Sequence, residues 1–218
     1  LLNSVRTSSP LKFETQNKEE IPPIAEFIID DRAVRFEDGS VENNIDAVVY
    51  CTGYLYSYPF LESIHPPVVM SGRRVLGLYQ QIFNIIHPTL AFTALAQKVI
   101  PFPVSEAQAA TIAKVWSNKL VLPSKEKMTM LEQKQVTEQG DGTSFHVLGY
   151  PKDAKYLNGL HDWVKSASNG FGKEPTFWGP RQLREREVYA ELRKKFVESG
   201  GHAKTIEELG FAIEYGDD

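Results

Sequence analysis

The residues best suited to chemistry stand together where an apolar run ends: Ile45, Ala47, Val48 and Val49 lead into Cys51-Thr52-Gly53-Tyr54. A strand buried on both faces delivers its functional residues at the carboxyl end. There Thr52 offers a hydroxyl that donates or accepts, and Gly53 removes the Cβ that would hold a flat ligand or a phosphate off the backbone. Thr-Gly also serves simply to turn a chain, and the residues alone leave both readings open. Cys51 has no basic neighbour in sequence to lower its pKa and reads as a small buried apolar residue. His65, His87, His146, His161 and His202 show no metal-ligand spacing and read as structural or surface groups. No nucleophile, triad or metal cluster is evident.

The elements that must position this turn follow from periodicity. An apolar run at Ile24 to Ile29, the turn Asp30-Asp31, Val34 and Phe36 flanking Arg35, and the turn Asp38-Gly39 predict a β-meander leading into a core strand over Ile45–Tyr50. From Pro103 the period becomes helical. Ser105 and Gln108 fit a capping box, and Ala109, Ile112, Ala113, Trp116 and Leu120 make one core-facing stripe before Pro123. A second helix is expected after Ser124, fading before Gly140. A third runs from Ala154 to Ala167, with Tyr156, Leu157, Leu160, Trp163 and Val164 on one side and Asn169-Gly170 as its stop. The fourth, Arg181 to Glu198, sets Val188, Leu192 and Phe196 on one stripe, and the alternating signs of "RQLREREVYAELRKK" predict a solvated face. Thr205 and Glu208 form another candidate capping box.

Composition bounds the function. The 218 residues are 42% hydrophobic, enough for one core or a little more. With 24 Lys and Arg against 28 Asp and Glu, the formal charge of -4 argues against a nucleic-acid partner. A single cysteine excludes an internal disulfide, a Cys-x-x-Cys pair and a zinc knuckle, and points to a reducing, cytoplasmic compartment. The stretch "LAFTALAQKVIPFP" is broken by Gln97, Lys98 and Pro101, so no membrane segment is expected. The chain opens on Leu1 with no signal-peptide pattern, which suggests a piece of something longer, and the acidic "FAIEYGDD" argues against a C-terminal anchor.

Ordered blocks carry a family resemblance. "IDAVVYCTGYLYSYPFL" resembles the signature of the flavin-containing monooxygenases, where the chain returns from the nucleotide-binding insertion to the flavin domain. "VLGLYQQIFNIIHPTLAFTALAQKVIPFPVSEAQAATIAKVWSNKLVLPSKE" is similar to the next block in its fungal form, and so is "YPKDAKYLNGLHDW". The resemblance implies an α/β fold of two interleaved dinucleotide-binding domains. It implies FAD and NADPH as cofactors, with a flavin hydroperoxide oxidising nucleophilic nitrogen or sulfur in small molecules. A small nucleophilic substrate and O2 are then the partners, with a homodimer of the full-length enzyme left open.

Carried over residue by residue, Thr52, Gly53 and Tyr54 match the turn near the cofactors. Leu95, Ala96 and Gln97 match the segment entering the helix that faces the flavin ring, whose amides before Ala107 would meet the pyrimidine carbonyls, with Ser105 as cap. Gln80 and Gln81 fall in a block near the active site, or equally on the surface. No Gly-x-Gly-x-x-Gly follows a strand, and Phe-x-Gly-x-x-x-His is missing. The expectation is therefore a C-terminal half: residues 1–43 completing the NADPH-binding domain, 44–218 completing the FAD-binding domain with a helical extension, and no catalysis by the chain alone. Competing expectations are a Baeyer–Villiger relative, distinguished by an upstream motif, and a non-catalytic remnant that binds another polypeptide. A disulfide reductase would need a cysteine pair that the chain lacks.

Overall fold

A computed structural model describes residues 1–7, 18–167 and 172–212, so the expected stop at Asn169-Gly170 and most of the acidic tail lie outside the described residues. The chain divides into two units, one of Leu1–Gly53 with Tyr189–Ala212 and one beginning at Tyr54 and running to Val188.

In the first unit, β1 (Leu2–Ser4) pairs in parallel with β2 (Glu19–Ile21). The expected meander forms from β3 (Ile24–Ile28), β4 (Ala33–Phe36) and β5 (Val41–Glu42), all antiparallel. Val34 and Phe36 are buried and Arg35 is exposed, as alternation requires. At the turn before β5, the Asp38 carboxylate accepts from the Ser40 N–H at 2.9 Å, and Gly39 supplies a φ of +85°.

The core strand expected over Ile45–Tyr50 does not form. These residues carry no strand pairing, and Val49 and Tyr50 are 81% and 69% exposed. A strand buried on both faces exists only between paired neighbours. Among the described residues none pairs with this one. Its start is tied down by hydrogen bonds, Ile45 N–H donating to Arg32 O at 2.8 Å and the Arg32 guanidinium meeting Asp46 at 2.7 Å, and at its end the Tyr50 ring lies 6.4 Å from that of Phe27.

The second unit holds a hairpin, β6 (Leu78–Tyr79) and β7 (Phe83–Asn84), and the helices α1 (Pro101–Trp116), α2 (Lys125–Gln139) and α3 (Lys152–Lys165). The last helix, α4 (Pro180–Glu198), belongs to this unit as far as Val188. Ile82, Phe83, Val104, Leu157 and Leu160 are fully or almost fully buried and pack into one core. On α2, Ser124 Oγ accepts from Lys127 N–H at 3.3 Å, and Gly140 ends the helix, both as expected. The α3 stripe of Leu157, Leu160 and Val164 is buried as expected.

Helix α1 departs from the sequence reading in two ways. It begins at Pro101, so Ser105 lies inside it and caps nothing. Pro101 and Pro103 have no N–H, so of the first three residues only Phe102 carries an orphan donor, and the helix starts without a side-chain cap. The buried face is also different: Val104, Ala107, Gln108, Thr111 and Val115 point inward, while Ala109, Ala113 and Trp116 are exposed. Apolar periodicity misses this face because Gln108, Thr111 and Lys114 lie on it.

The α4 charges form the expected solvated ladder, with Arg181–Glu185 at 3.0 Å and Arg184–Glu187 at 2.7 Å. Arg186 is the exception: it turns inward to Asp153, whose side chain is fully buried, at 2.7 Å. Of the Thr205–Glu208 box only one half forms, Glu208 N–H donating to Thr205 Oγ1 at 3.4 Å, while the Glu208 carboxylate accepts from Lys204 N–H at 2.9 Å beside a single 3-10 turn, Glu207–Leu209.

Ahead of α4, Asn158 on α3 grips the backbone of buried Trp178, donating to its carbonyl at 2.9 Å and accepting its N–H at 2.8 Å. Asn158→Ala leaves both backbone groups without that partner and is expected to cost about 2 kcal/mol. The measurement is the urea midpoint at constant m, and an unchanged midpoint would show that the grip contributes nothing.

Candidate functional site

The chain enters α1 through a loop, Ala94–Lys98, whose two ends are left-handed: Ala94 has φ +60° and Lys98 φ +57°. Residues with a Cβ adopt such angles at a cost of roughly 1–3 kcal/mol each, and keep them only where surroundings over-determine them. Here they do. Ala94 N–H donates to Gln108 Oε1 at 3.0 Å, and Arg186, anchored on Asp153, donates to Lys98 O at 3.0 Å. Between these ends Leu95 O accepts from the Tyr56 hydroxyl at 3.2 Å. Gln97 N–H donates to His146 O at 2.8 Å, Gln97 O accepts from Leu148 N–H at 3.1 Å, and the Gln97 side chain donates to Tyr56 Oη at 3.1 Å. Leu95 and Ala96 are buried and Gln97 is exposed, so the predicted segment is held through its backbone and presents one polar side chain.

A second strained corner lies in the β6–β7 hairpin. Ile82 N–H donates to Tyr79 O at 3.0 Å across Gln80 (φ +53°) and Gln81 (φ +59°), the turn type that normally asks for Asn and Gly. Gln81 is 2% exposed, which rules out the surface reading for it. Its side chain donates to Phe145 O at 3.2 Å and meets the His146 ring. Gln80 O accepts from the Tyr156 hydroxyl at 2.7 Å, and burial raises the Tyr156 pKa, keeping that phenol a neutral donor.

Of the structural and surface roles expected for the histidines, His146 takes the structural one: it is fully buried. Nε2 accepts from Val75 N–H at 3.0 Å, so Nδ1 carries the proton and donates to Gln81 Oε1. Burial, and then the nearby Arg74 cation, push its pKa down to about 4. Arg74 is itself buried, paired with Glu132 at 3.0 Å and with Asp141, and lies 4.4 Å from the Phe145 ring centre. Glu132 also accepts from Gly77 N–H at 2.8 Å, which ties α2 to the hairpin.

Thr52 and Gly53 fall in the first unit, and Tyr54 with Leu95–Gln97 in the second. Thr52, Gly53 and Tyr54 are all exposed, Tyr54 completely. Gly53 has φ +84°, with no atom within 4 Å of where a Cβ would stand, so conformation rather than crowding calls for glycine. Cys51 is exposed rather than buried, because the segment it ends forms no strand and has no sheet around it. Among the described residues no group of three or more His, Cys, Asp or Glu side chains is arranged to hold a metal, and no helix is long and apolar enough to cross a membrane. An apolar recess of about 150 Å³ lined by Pro66, Pro67, Met70, Leu76 and Ile86 is too small for a dinucleotide.

The described residues make a mixed α/β chain with a loop, Ala94–Lys98, pinned by hydrogen bonds ahead of a proline-started helix. Residues 21–165 match the flavin-binding monooxygenase-like family, and the chain belongs to it. The thiol-specific monooxygenase of Saccharomyces cerevisiae is 27% identical across 94% of this chain and 48% of its own length. The flavin-containing monooxygenase ustF2 of Aspergillus flavus is 30% identical across 76% of this chain and 35% of its own. The solved S-allyl-L-cysteine S-oxygenase from Allium sativum shares the fold, with a TM-score of 0.69 over 95% of this chain and 45% of that one, at 24% identity. The chain thus spans about a third to a half of these relatives.

The folded pKa of His146 lies below its ordinary value of 6.5, so the stabilisation from the neutral ring is complete above pH 6.5 and is lost as pH falls toward 4. The loss amounts to about 3 kcal/mol. Urea unfolding between pH 7 and 4 is expected to show this fall, and His146→Gln to start lower but fall less. An equal acid-side fall in the variant would assign the effect to other groups.

Proposed function

We propose that the chain is the C-terminal part of an FAD- and NADPH-dependent monooxygenase that oxygenates nucleophilic nitrogen or sulfur in small molecules. Residues 1–43 complete an NADPH-binding domain and 44–218 an FAD-binding domain with a helical extension. The observation that carries this reading is the pinned loop Leu95–Gln97 at the mouth of α1, inside the span matched by the family. The names of two relatives, a thiol-specific monooxygenase and an S-allyl-L-cysteine S-oxygenase, favour sulfur as the oxidised atom. The lone Cys51 supports a cytoplasmic setting.

Bound flavin supplies the oxygen-activating chemistry and NADPH the electrons. The residues fit the ring-facing side of such a cofactor: Leu95 and Ala96 give an apolar wall that excludes water, Gln97 offers an amide at its rim, and Phe102 N–H opens the positive end of α1. Considered separately, the turn that the resemblance sets near a cofactor offers the Thr52 hydroxyl, the left-handed Gly53 and the exposed Tyr54 ring. They do not fit its pyrophosphate, for which the sequence holds no glycine-rich cradle. The second reading, a remnant that binds another polypeptide, is favoured by the exposed Val48, Val49 and Tyr50.

Flavin absorbance of the purified chain, with and without the N-terminal half of a relative in trans, separates the readings. Absorbance is expected only with both halves present. A soluble complex without flavin would support the remnant, and stoichiometric flavin on this chain alone would overturn the division of the cofactor between halves. In the reconstituted enzyme, Gly53→Ala forces a Cβ into left-handed backbone and is expected to weaken flavin retention about fivefold, the equivalent of ~1 kcal/mol.

A further inference from the structure

One buried side-chain relay joins the two strained corners of the second unit. Gln108 on α1 is fully buried, and its Oε1 accepts the N–H of left-handed Ala94 at 3.0 Å. Its Nε2 donates to the Tyr156 hydroxyl of α3 at 2.9 Å, and that hydroxyl donates to the carbonyl of left-handed Gln80 at 2.7 Å. The direction of every bond is fixed. A phenol has one proton, which goes to Gln80 O, so Tyr156 must accept from Gln108; the Gln108 amide is thereby oriented, and its oxygen can only face Ala94.

Neither corner favours its own geometry, since neither Gln80 nor Ala94 is glycine or asparagine. A buried network whose members are all satisfied selects one arrangement and penalises the rest. Neither Gln108 nor Tyr156 has other polar work in this relay, and neither is among the residues assigned to the cofactor above.

We propose that Gln108 and Tyr156 are positioning residues: their relay sets the backbone of Ala94–Gln97, and through it the surroundings of the flavin ring. The flavin half of this proposal rests on the function proposed above; the backbone half does not.

The test uses the full-length, flavin-loaded enzyme and its Tyr156→Phe and Gln108→Met variants, which keep the buried volume and lose the relay. Asn158→Ala is the control, lowering stability without touching the loop. Two quantities are read: hydrogen exchange at the Ala94 amide, and the position of the flavin visible band with its fluorescence yield. Exchange at Ala94, taken relative to that of the buried Leu160 amide so that a general loss of stability cancels, is expected to rise at least tenfold in both relay variants, with a shifted flavin band and flavin still bound, while the control changes neither this ratio nor the band. Wild-type exchange at Ala94 in Tyr156→Phe overturns the relay. Faster exchange with an unshifted flavin overturns its link to the cofactor. If the wild-type enzyme holds no flavin, the proposed function fails and the flavin half falls with it, whereas the exchange measurement still decides whether the relay holds the loop. A variant that does not fold is replaced by the other, since each breaks the relay alone.

Discussion

Ala94 and Lys98 hold a backbone conformation that their own side chains disfavour, and the loop between them keeps its shape because hydrogen bonds from elsewhere in the fold outweigh that preference. The donors and acceptors come from α1, α4, the Tyr56 segment and the His146–Leu148 stretch, which are far apart in sequence. The form of the loop therefore depends on contacts that the packed helices supply. A backbone fixed in this way has little reorganisation left to undergo when something binds against it.

The same logic explains why so much of this interior is polar. Gln81, Gln108, Glu132, His146 and Asp153 are all buried, and each has a partner that relieves the cost of leaving water. Replacing such groups by hydrocarbon would remove that cost but also the directional information that selects one loop geometry. Neutral His146 belongs to this economy: it is held as donor on one nitrogen and acceptor on the other, and a second proton would face both desolvation and Arg74.

The first unit shows the opposite situation. Ile45–Tyr50 has the composition of an inner strand, yet it lies unpaired and largely exposed. Hydrophobic patterning describes what a segment needs, and sheet neighbours decide whether the need is met. Among the described residues no strand supplies the neighbours that a segment of this kind requires.

Much of the fold was legible in the sequence because its signals are local. The meander turn at Asp38-Gly39, the α2 limits at Ser124 and Gly140, and the α3 stripe of Leu157, Leu160 and Val164 each follow from a few adjacent residues. The position of Leu95–Gln97 before α1 was legible too, through the family blocks. The start of α1 at Pro101, its polar buried face, the exposure of Cys51 and the inward turn of Arg186 were not. Local pattern reports which residues avoid water. Whether Gln108, Asp153 or His146 can be buried depends on finding Tyr156, Arg186 or Val75 at hydrogen-bonding distance, and that is settled by tertiary packing alone.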